Sequence, residues 1–534
     1  MSAENEHQRG RIEGGFDAVI IGATVEGLAA ATCLAKNGFK TVLIEAAADV
    51  GGPAATRGFA EGCKVSDEAH LVNALDRDLV REIDLYRHGL TYSERRIQTV
   101  YLSDRDEPVV LDGDLARARE TLGPRVGDDA AAFEAFFKIY GDLAETLSGA
   151  FVKGLTAADG TALAKALTRL QKDVSEEGYA LLKRACVAST RAALDPAFDS
   201  ALLKGGLAFD AAFGGAAAPS AQYGFLNLLR RWAGESAGIH AAYAHPKGGM
   251  GALADALRRA AQSAKVDIRT NTAAKSILLE WDAAAGVALE NGGQIRAETV
   301  ISALDAETTY LKLIGPAALD MEAQADIARS PSNLILAKAH MALAKPPALP
   351  KLSAEALRGR FVICPSIDYL EEAFRYAKFG RVPPKLAMEF IIPTVHDETL
   401  AEGGKCVLSA WIHPAPARLH NDADTAALKG ELLDKAIATL EAYAPGFRKS
   451  VLEAEIRLPE DYAAAYGMNA SIWAARAPLL DQWLRTGVLQ RGDRVDGLFF
   501  CGPEAVIGGG VSGGAGRRAA GLAVRRAKSR SSFL

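Results

Sequence analysis

VIIGATVEGLAAA, residues 19–31, is the stretch on which the reading of this chain turns. A continuous apolar run, Phe16 to Ile21, leads into it and suits a strand buried on both faces of a parallel sheet. Gly22 to Gly27 turn the chain, and Leu28 to Asn37 have helical composition with Gly38 placed as the C-terminal cap. Thr41-Val42-Leu43-Ile44-Glu45 then reads as a second strand ending in an acid. A strand–turn–helix–strand unit of this length is the context in which a glycine fingerprint binds a dinucleotide. Gly22 supplies the tight turn and Gly27 close helix–strand packing, and a diphosphate sits at the helix N-terminus, where orphan N–H groups and the macrodipole favour an anion. Thr24 stands where a second glycine normally lets the phosphates approach the backbone. Its β-branched side chain is expected to crowd them and its hydroxyl to compensate in part. Glu45 is placed to accept from ribose hydroxyls, and an acid there disfavours a 2′-phosphate, arguing against NADP.

A second glycine pair follows in Asp49-Val50-Gly51-Gly52-Pro53-Ala54-Ala55-Thr56-Arg57 and returns the backbone to the same crevice. The spacing from Glu45 is typical of large flavoproteins. Farther on, GFDAVIIGATVEGLAAATCLAKNGFKTVLIEAAADVGGPAATR, HPKGGMGALADALRRAA, VISALDAETTYLKLIG, IPTVHDETLAEGGKCVLSAWIHPAP and GLFFCGPEAVIGGGVSGGAGRRAA occur in order. This series resembles the phytoene desaturase-like group of FAD-dependent oxidoreductases with the flavin amine-oxidase fold. Within that group it is most similar to the pyridine nucleotide-disulphide oxidoreductase domain-containing protein 2 family, over nearly the whole chain.

The resemblance implies an α/β fold: a Rossmann-like FAD-binding domain of the amine-oxidase type interleaved with an antiparallel-sheet and helical substrate domain. It implies FAD contacts from Gly22, Ala23, Thr24, Glu26 and Gly27 in the first turn, from Glu45 and Ala46 at the adenosine ribose, and from Gly51, Gly52, Thr56 and Arg57 in the second loop. Backbone at Ala274 meets the adenine, Gly502 and Glu504 the ribityl chain, and Gly510 and Val511 the pyrimidine edge of the isoalloxazine. The last helix then aims its N-terminus at that edge and stabilises the anion formed on reduction. Departures from the group's pattern collect at the cofactor: Thr24, Ala47 in place of a basic residue, and Pro503-Glu504-Ala505-Val506-Ile507 ahead of the glycine-dense turn.

The boundaries expected are a disordered leader at 1–15, an FAD-binding domain from 16–125, 245–330 and 490–534, a mostly helical insertion at 126–244, and a substrate domain with an antiparallel sheet at 331–489. On the substrate side the candidates are His70, which the family places near the flavin, and Tyr466 and Trp473 as walls of an aromatic slot; a hydrogen-bonded structural histidine and core packing are the competing readings. No catalytic acid or base is assigned, because flavin dehydrogenation needs none: the flavin takes the hydride while the protein orients and dries the site.

Composition bounds the rest. A net charge of −5 is no footprint of a nucleic-acid binder. Six cysteines without a C-x-x-C pair argue against a disulfide framework or zinc ribbon and suit a reducing cytosol. No run of eighteen apolar residues occurs. Arg517, Arg518, Arg525, Arg526, Lys528 and Arg530 are read as cations at a helix C-terminal end, with peripheral contact to anionic lipid as the alternative. A homo-oligomer is compatible with all of this. The leading expectation is hydride transfer between flavin and an apolar, isoprenoid or other lipid-like substrate; the rivals are a flavoprotein-fold lipid carrier or scaffold that has weakened or lost FAD, and an amine oxidase.

Overall fold

The computed structural model describes residues 12–153, 176–328, 334–417, 425–467, 495–505 and 510–531. Ala18–Ile21, fully buried, forms the middle of a five-stranded parallel sheet whose order is Asp267–Arg269, Thr41–Ile44, Ala18–Ile21, Thr299–Ser302 and Leu498–Phe500. Its apolar, β-branched strands suit burial on both faces. The helix after the turn spans Val25–Lys36 and so starts three residues earlier than the sequence suggests. Thr24 is the reason: extended at φ −68° and ψ 172°, it accepts a hydrogen bond from Gly27 N at 3.2 Å and caps the helix.

That first helix is buried along nearly its whole length, against the sheet on one side and the terminal helix Gly514–Ser531 on the other. Small residues make the approach feasible. A Cβ at Gly27 would overlap Gly22 O, and one at Gly516 would overlap Glu26 O. Ala29, Ala30, Ala515, Ala519 and Ala520 fill the seam at 0–1% exposure.

A seven-stranded sheet forms the second layer, in the order Val451–Arg457, Leu334–Leu343, Cys406–Pro416, Met388–Ile391, Arg360–Ile363, Thr99–Leu102 and Val109–Leu111. All pairs are antiparallel except Arg360–Ile363 with Thr99–Leu102. Residues 99–111 therefore belong to this sheet and not to the nucleotide-binding half in which the sequence reading put them. Their apolar run packs on Phe361 and Phe390, a contact that only the fold creates. Ile12–Glu13, expected within a disordered leader, instead pairs in parallel with Gln294–Arg296 at the edge of a four-stranded meander, where Arg269 joins Glu13 in an ion pair at 2.9 Å. The insertion is helical at Asp129–Lys153, Glu176–Val187, Ala201–Ala212 and Phe225–Trp232, then closes with a short hairpin at 235–240.

Arg517 and Arg526 of the terminal helix are tied to Glu82 and Asp496 at 2.7 and 2.6 Å, and Arg530 also pairs with Asp496, whereas Arg525 and Lys528 are exposed. Among the described residues no helix is long and apolar enough to cross a membrane.

Packing at Gly27 and conformation at Gly38 can be told apart by substitution. Gly27→Ala forces a methyl into backbone and is expected to cost at least about 2 kcal/mol in thermal unfolding. Gly38→Ala meets open space at a φ of +88° and is expected to cost about 1 kcal/mol.

Candidate active site

Two glycine turns from opposite ends of the chain converge on one crevice. Its walls are Thr24, Val25 and Glu26 from the first helix, Gly51, Pro53 and Ala54 from the second loop, Ala303, and Cys501, Gly502, Pro503, Gly510 and Val511 from the C-terminal motif. The second loop is held there by Gly51 N, which donates to Ala23 O at 2.8 Å, and by a bridge between Thr24 and Gly51. Positive φ at Gly22 (+94°), Gly51 (+109°) and Gly510 (+114°) lets three separate segments turn at its rim.

The crevice measures about 390 Å³ with its open mouth included, and its lining contains Thr24, Glu26, Gly51, Gly502, Gly510 and Val511, residues expected at the diphosphate, ribityl and isoalloxazine parts of FAD. Glu45 lies beyond it, at the end of Thr41–Ile44. Its carboxylate accepts from Ala23 N at 2.6 Å and Ala47 N at 2.9 Å, one bond on each oxygen, which leaves lone pairs for two further donors. Burial pushes its carboxyl up, and those amide donors pull it back down. Thr272 N donates to Glu45 O at 2.7 Å and Asn271 N to Ala47 O at 2.9 Å, bringing the start of Ala274–Glu280 beside the acid.

These features fit FAD. Glycines allow backbone approach, a helix N-terminus opens on the crevice, and an acid waits at the ribose position. Thr24 fits too, because its hydroxyl accepts from Gly27 N and keeps its own proton for a phosphate oxygen.

Other expected contacts have different partners here. Thr56 Oγ1 donates to Gly248 O at 3.1 Å and accepts from Gly251 N at 2.9 Å, while Arg57 pairs with Asp67 at 2.6 Å and with Glu455. Neither lines the crevice. Glu504 accepts from Ala306 N at 3.2 Å. Tyr466 donates to Asp67 Oδ2 at 2.6 Å and so braces the loop behind the crevice. Trp473, Val506 and Ile507 lie outside the described residues. The largest revision concerns the terminal helix. Where its N-terminus was expected to face the flavin, Glu26 accepts from Gly516 N in the first turn at 2.9 Å and from Ser512 N and Gly513 N just before the helix at 3.2 and 2.7 Å.

Behind Pro53–Ala55 lies a buried charged cluster that no sequence motif announced. Asp67 N and Glu68 N donate to Ala55 O and Pro53 O, which ties the segment carrying His70 to the crevice wall. His70 Nε2 lies 3.0 Å from Glu389 Oε1, and its Nδ1 lies 2.7 Å from Lys338 Nζ. Since Glu389, held ionised by its arginines, can only accept, the network assigns a proton to Nε2. Lys338 and Glu389 flank Trp411 in register on one face of the sheet, with the ammonium 4.4 Å from the ring centroid. Glu389 also accepts from Arg360 and Arg231 at 2.8 and 3.1 Å, and both arginines reach Asp210. Burial brings the Lys338 amine down to about 7 and His70 down to about 3. Burial would raise the Glu389 carboxyl, yet Arg360 and Arg231 hold it well below its usual range. The signal in the sequence was a single charge inside each of three otherwise apolar strands: LILAKAHMAL, RFVI and MEFI.

A family model described as flavin containing amine oxidoreductase matches residues 27–384, and the chain belongs to that family. It is an FAD-dependent oxidoreductase of the amine-oxidase fold. Pyridine nucleotide-disulfide oxidoreductase domain-containing protein 2 of Mus musculus is 29% identical over 97% of this chain and 95% of its own length, and the Rattus norvegicus protein of the same name 29% over 96% and 94%. Among solved structures, putrescine oxidase bound to putrescine aligns with a TM-score of 0.63 at 17% identity, covering 97% of this chain and all of its own. Cyclohexylamine oxidase from Brevibacterium oxydans aligns at 0.59 and 16%, over 96% and 99%. These two likenesses are of fold.

Removing one charge from the buried cluster is expected to act asymmetrically. Glu389→Ala strands Arg360 and Arg231 and is expected to lower unfolding free energy by about 3–5 kcal/mol, whereas Lys338→Met removes a desolvated cation and stays within about 1 kcal/mol of wild type, both read from urea midpoints.

The buried imidazoles set a pH slope. His70 sits near 3, His396 and His413 near 4, and burial lowers His240, His245 and His340 as well, so from pH 6.5 downward the unfolded chain binds up to six protons at these described histidines that the folded one does not. Stability falls with acid by about 1.4 kcal/mol per pH unit for each histidine. Glu26 and Glu45, raised by burial, act with the opposite sign. Replacing one imidazole isolates its share: His70→Gln is expected to flatten the fall between pH 6.5 and 4.5 by about that amount, and an unchanged slope would exclude a neutral buried His70.

Proposed function

We propose that this flavoenzyme dehydrogenates an apolar, uncharged substrate of isoprenoid or other lipid-like character. When bound, FAD supplies the hydride acceptor at the isoalloxazine N5. The protein orients the two partners and keeps the site dry.

The observation that carries this reading is the bookkeeping of charge beside the crevice. Glu389 and Asp210 are spent on Arg360 and Arg231, and Glu389 also takes His70. An ionised amine needs a carboxylate with capacity to spare; Glu389 and Asp210 are engaged by guanidinium groups, and Glu26, the carboxylate in the crevice wall, by Ser512, Gly513 and Gly516. The crevice wall itself is apolar at Val25, Pro53, Ala54, Ala303 and Val511. The interface between the large sheet and the helical insertion carries the Arg360–Asp210–Arg231 network and Phe213 against Trp411 at 6.0 Å.

The purified protein is expected to show flavin absorption bands that survive dialysis, and to bleach anaerobically with long-chain isoprenoid or fatty substrates but not with primary amines or diamines. Bleaching by amines alone would overturn the substrate class, and a colourless protein that ignores added FAD would overturn the cofactor. Position 24 gives a finer test. Thr24→Gly costs a few tenths of a kcal/mol as a cap and is expected to lower the Kd for FAD, whereas Thr24→Ala costs about 1 kcal/mol of stability. Unchanged or weaker retention in the glycine variant would show that the threonine does not crowd the phosphates.

A further inference from the structure

We propose that Glu26 sets the charge environment of the bound flavin: its carboxylate fills the N-terminus of the terminal helix, so the cofactor meets a helix end already supplied with an anion and is held at a lower reduction potential than that helix end alone would give. The proposal rests on FAD occupying the crevice.

The first four N–H groups of any helix lack partners within it, and the end carries roughly half a positive charge. In this fold the terminal helix follows directly from Gly510 and Val511, which line the crevice, so its free N–H groups would be the natural place to stabilise negative charge on a reduced flavin. Two of them are taken, Gly516 N by Glu26 and Gly514 N by Ser512 Oγ, and two amides just ahead of the helix also turn to Glu26. Glu26 Oε1 accepts from Ser512 N at 3.2 Å, Ser512 Oγ at 3.1 Å and Gly513 N at 2.7 Å, and Oε2 accepts from Gly516 N at 2.9 Å. Ser512 Oγ in turn accepts from Gly514 N at 3.0 Å.

The geometry is built for this carboxylate. Gly513 adopts φ +71°, and Gly516 has no room for a side chain against the Glu26 backbone. Glu26 is 8% exposed, and the part that is not enclosed faces the crevice, of which it is a wall. Around it, Arg518 lies one turn into the terminal helix with its Nη2 donating to Ala505 O at 3.4 Å, and the Cys501 thiol is pushed up by burial and by Glu26 itself. The Glu26 carboxylate therefore stands where the dipole offers about half a positive charge; burial pushes its carboxyl up, the Gly516, Gly513 and Ser512 donors pull it back down, and the Arg518 cation lies within its field. Reduction adds negative charge to the flavin, so an anion beside it opposes reduction.

Two variants separate charge from scaffolding. Glu26→Gln keeps the shape and removes the charge; Glu26→Asp keeps the charge and shortens the reach. Both are expected to lower the unfolding temperature of the FAD-free protein, because both disturb the clamp. Only Glu26→Gln is expected to raise the two-electron reduction potential of bound flavin, by about 30 mV or more, the equivalent of a tenfold change in equilibrium constant. It is likewise expected to tighten sulfite binding to the oxidised flavin about tenfold, read as loss of visible absorbance. A yellow Glu26→Gln protein with wild-type potential and wild-type sulfite affinity overturns the proposal and leaves Glu26 a clamp. Should Glu26→Gln fail to fold, Ser512→Ala serves: it strips a donor from the carboxylate, and sulfite affinity is expected to fall, with no change counting against the proposal. A wild-type protein without flavin bands after FAD addition overturns the cofactor assignment and this inference with it, an outcome distinct from a yellow protein that is insensitive to residue 26.

Discussion

The rest of this structure depends on a single constraint, the close approach of the first helix to the terminal one. Residues 26 and 516 are almost five hundred positions apart, yet no side chain fits between Gly516 and the Glu26 backbone. Such distance in sequence makes the contact costly to close and slow to form. What compensates is a seam of alanines at 0–1% exposure and a carboxylate that satisfies three backbone donors which would otherwise be orphaned in the interior. The crevice is a by-product of that seam. The start of the first helix and the residues leading into the terminal one contribute to its walls, so whatever shifts the helices changes the width of the site.

The same economy governs the other side of the crevice wall. A lysine, a histidine, two arginines and two carboxylates are buried together, and burial of each alone would be prohibitive. They persist because every charge faces an opposite one or an aromatic face: Arg360 and Arg231 meet Glu389 and Asp210, and Lys338 lies over Trp411. Networks of this kind add little stability compared with apolar packing. Their effect is to fix geometry, since the sheet has one register in which Lys338, Trp411 and Glu389 lie side by side.

Much of the nucleotide-binding half was legible because its chemistry is local. Gly22, Gly27 and Glu45 sit within one strand–turn–helix–strand unit, and the turn geometry there follows from residue type alone. Thr24 was legible as an anomaly but not as a cap, because the two roles differ only in where the helix begins. Glu26 reads as an ordinary polar residue of a helix start; its partners at 512–516 are visible only once the chain has folded. The charged cluster was hidden for another reason: Lys338, Arg360 and Glu389 each appear as one polar letter in an apolar strand, and a single strand cannot tell whether such a residue points at solvent or at a partner. Residues 99–111 were misplaced on the same account, since a short strand carries no mark of which sheet it joins.

These two halves are not independent, because one short segment serves both. Pro53 and Ala55 line or back the crevice through their side chains while their carbonyls accept from Glu68 and Asp67, and Asp67 gathers Arg57, Arg457 and Tyr466. A change of charge in the buried cluster therefore has a short route to the wall of the cofactor site, through two backbone hydrogen bonds and His70 three residues farther on. Loss of the Glu389 carboxylate would leave His70 Nε2 without its acceptor and the ring held by Lys338 alone, and the loop that carries it is the one that holds Pro53 in place. On this view the ionic cluster and the glycine crevice form one device: the first fixes the loop, and the loop fixes the distance across which the second can close.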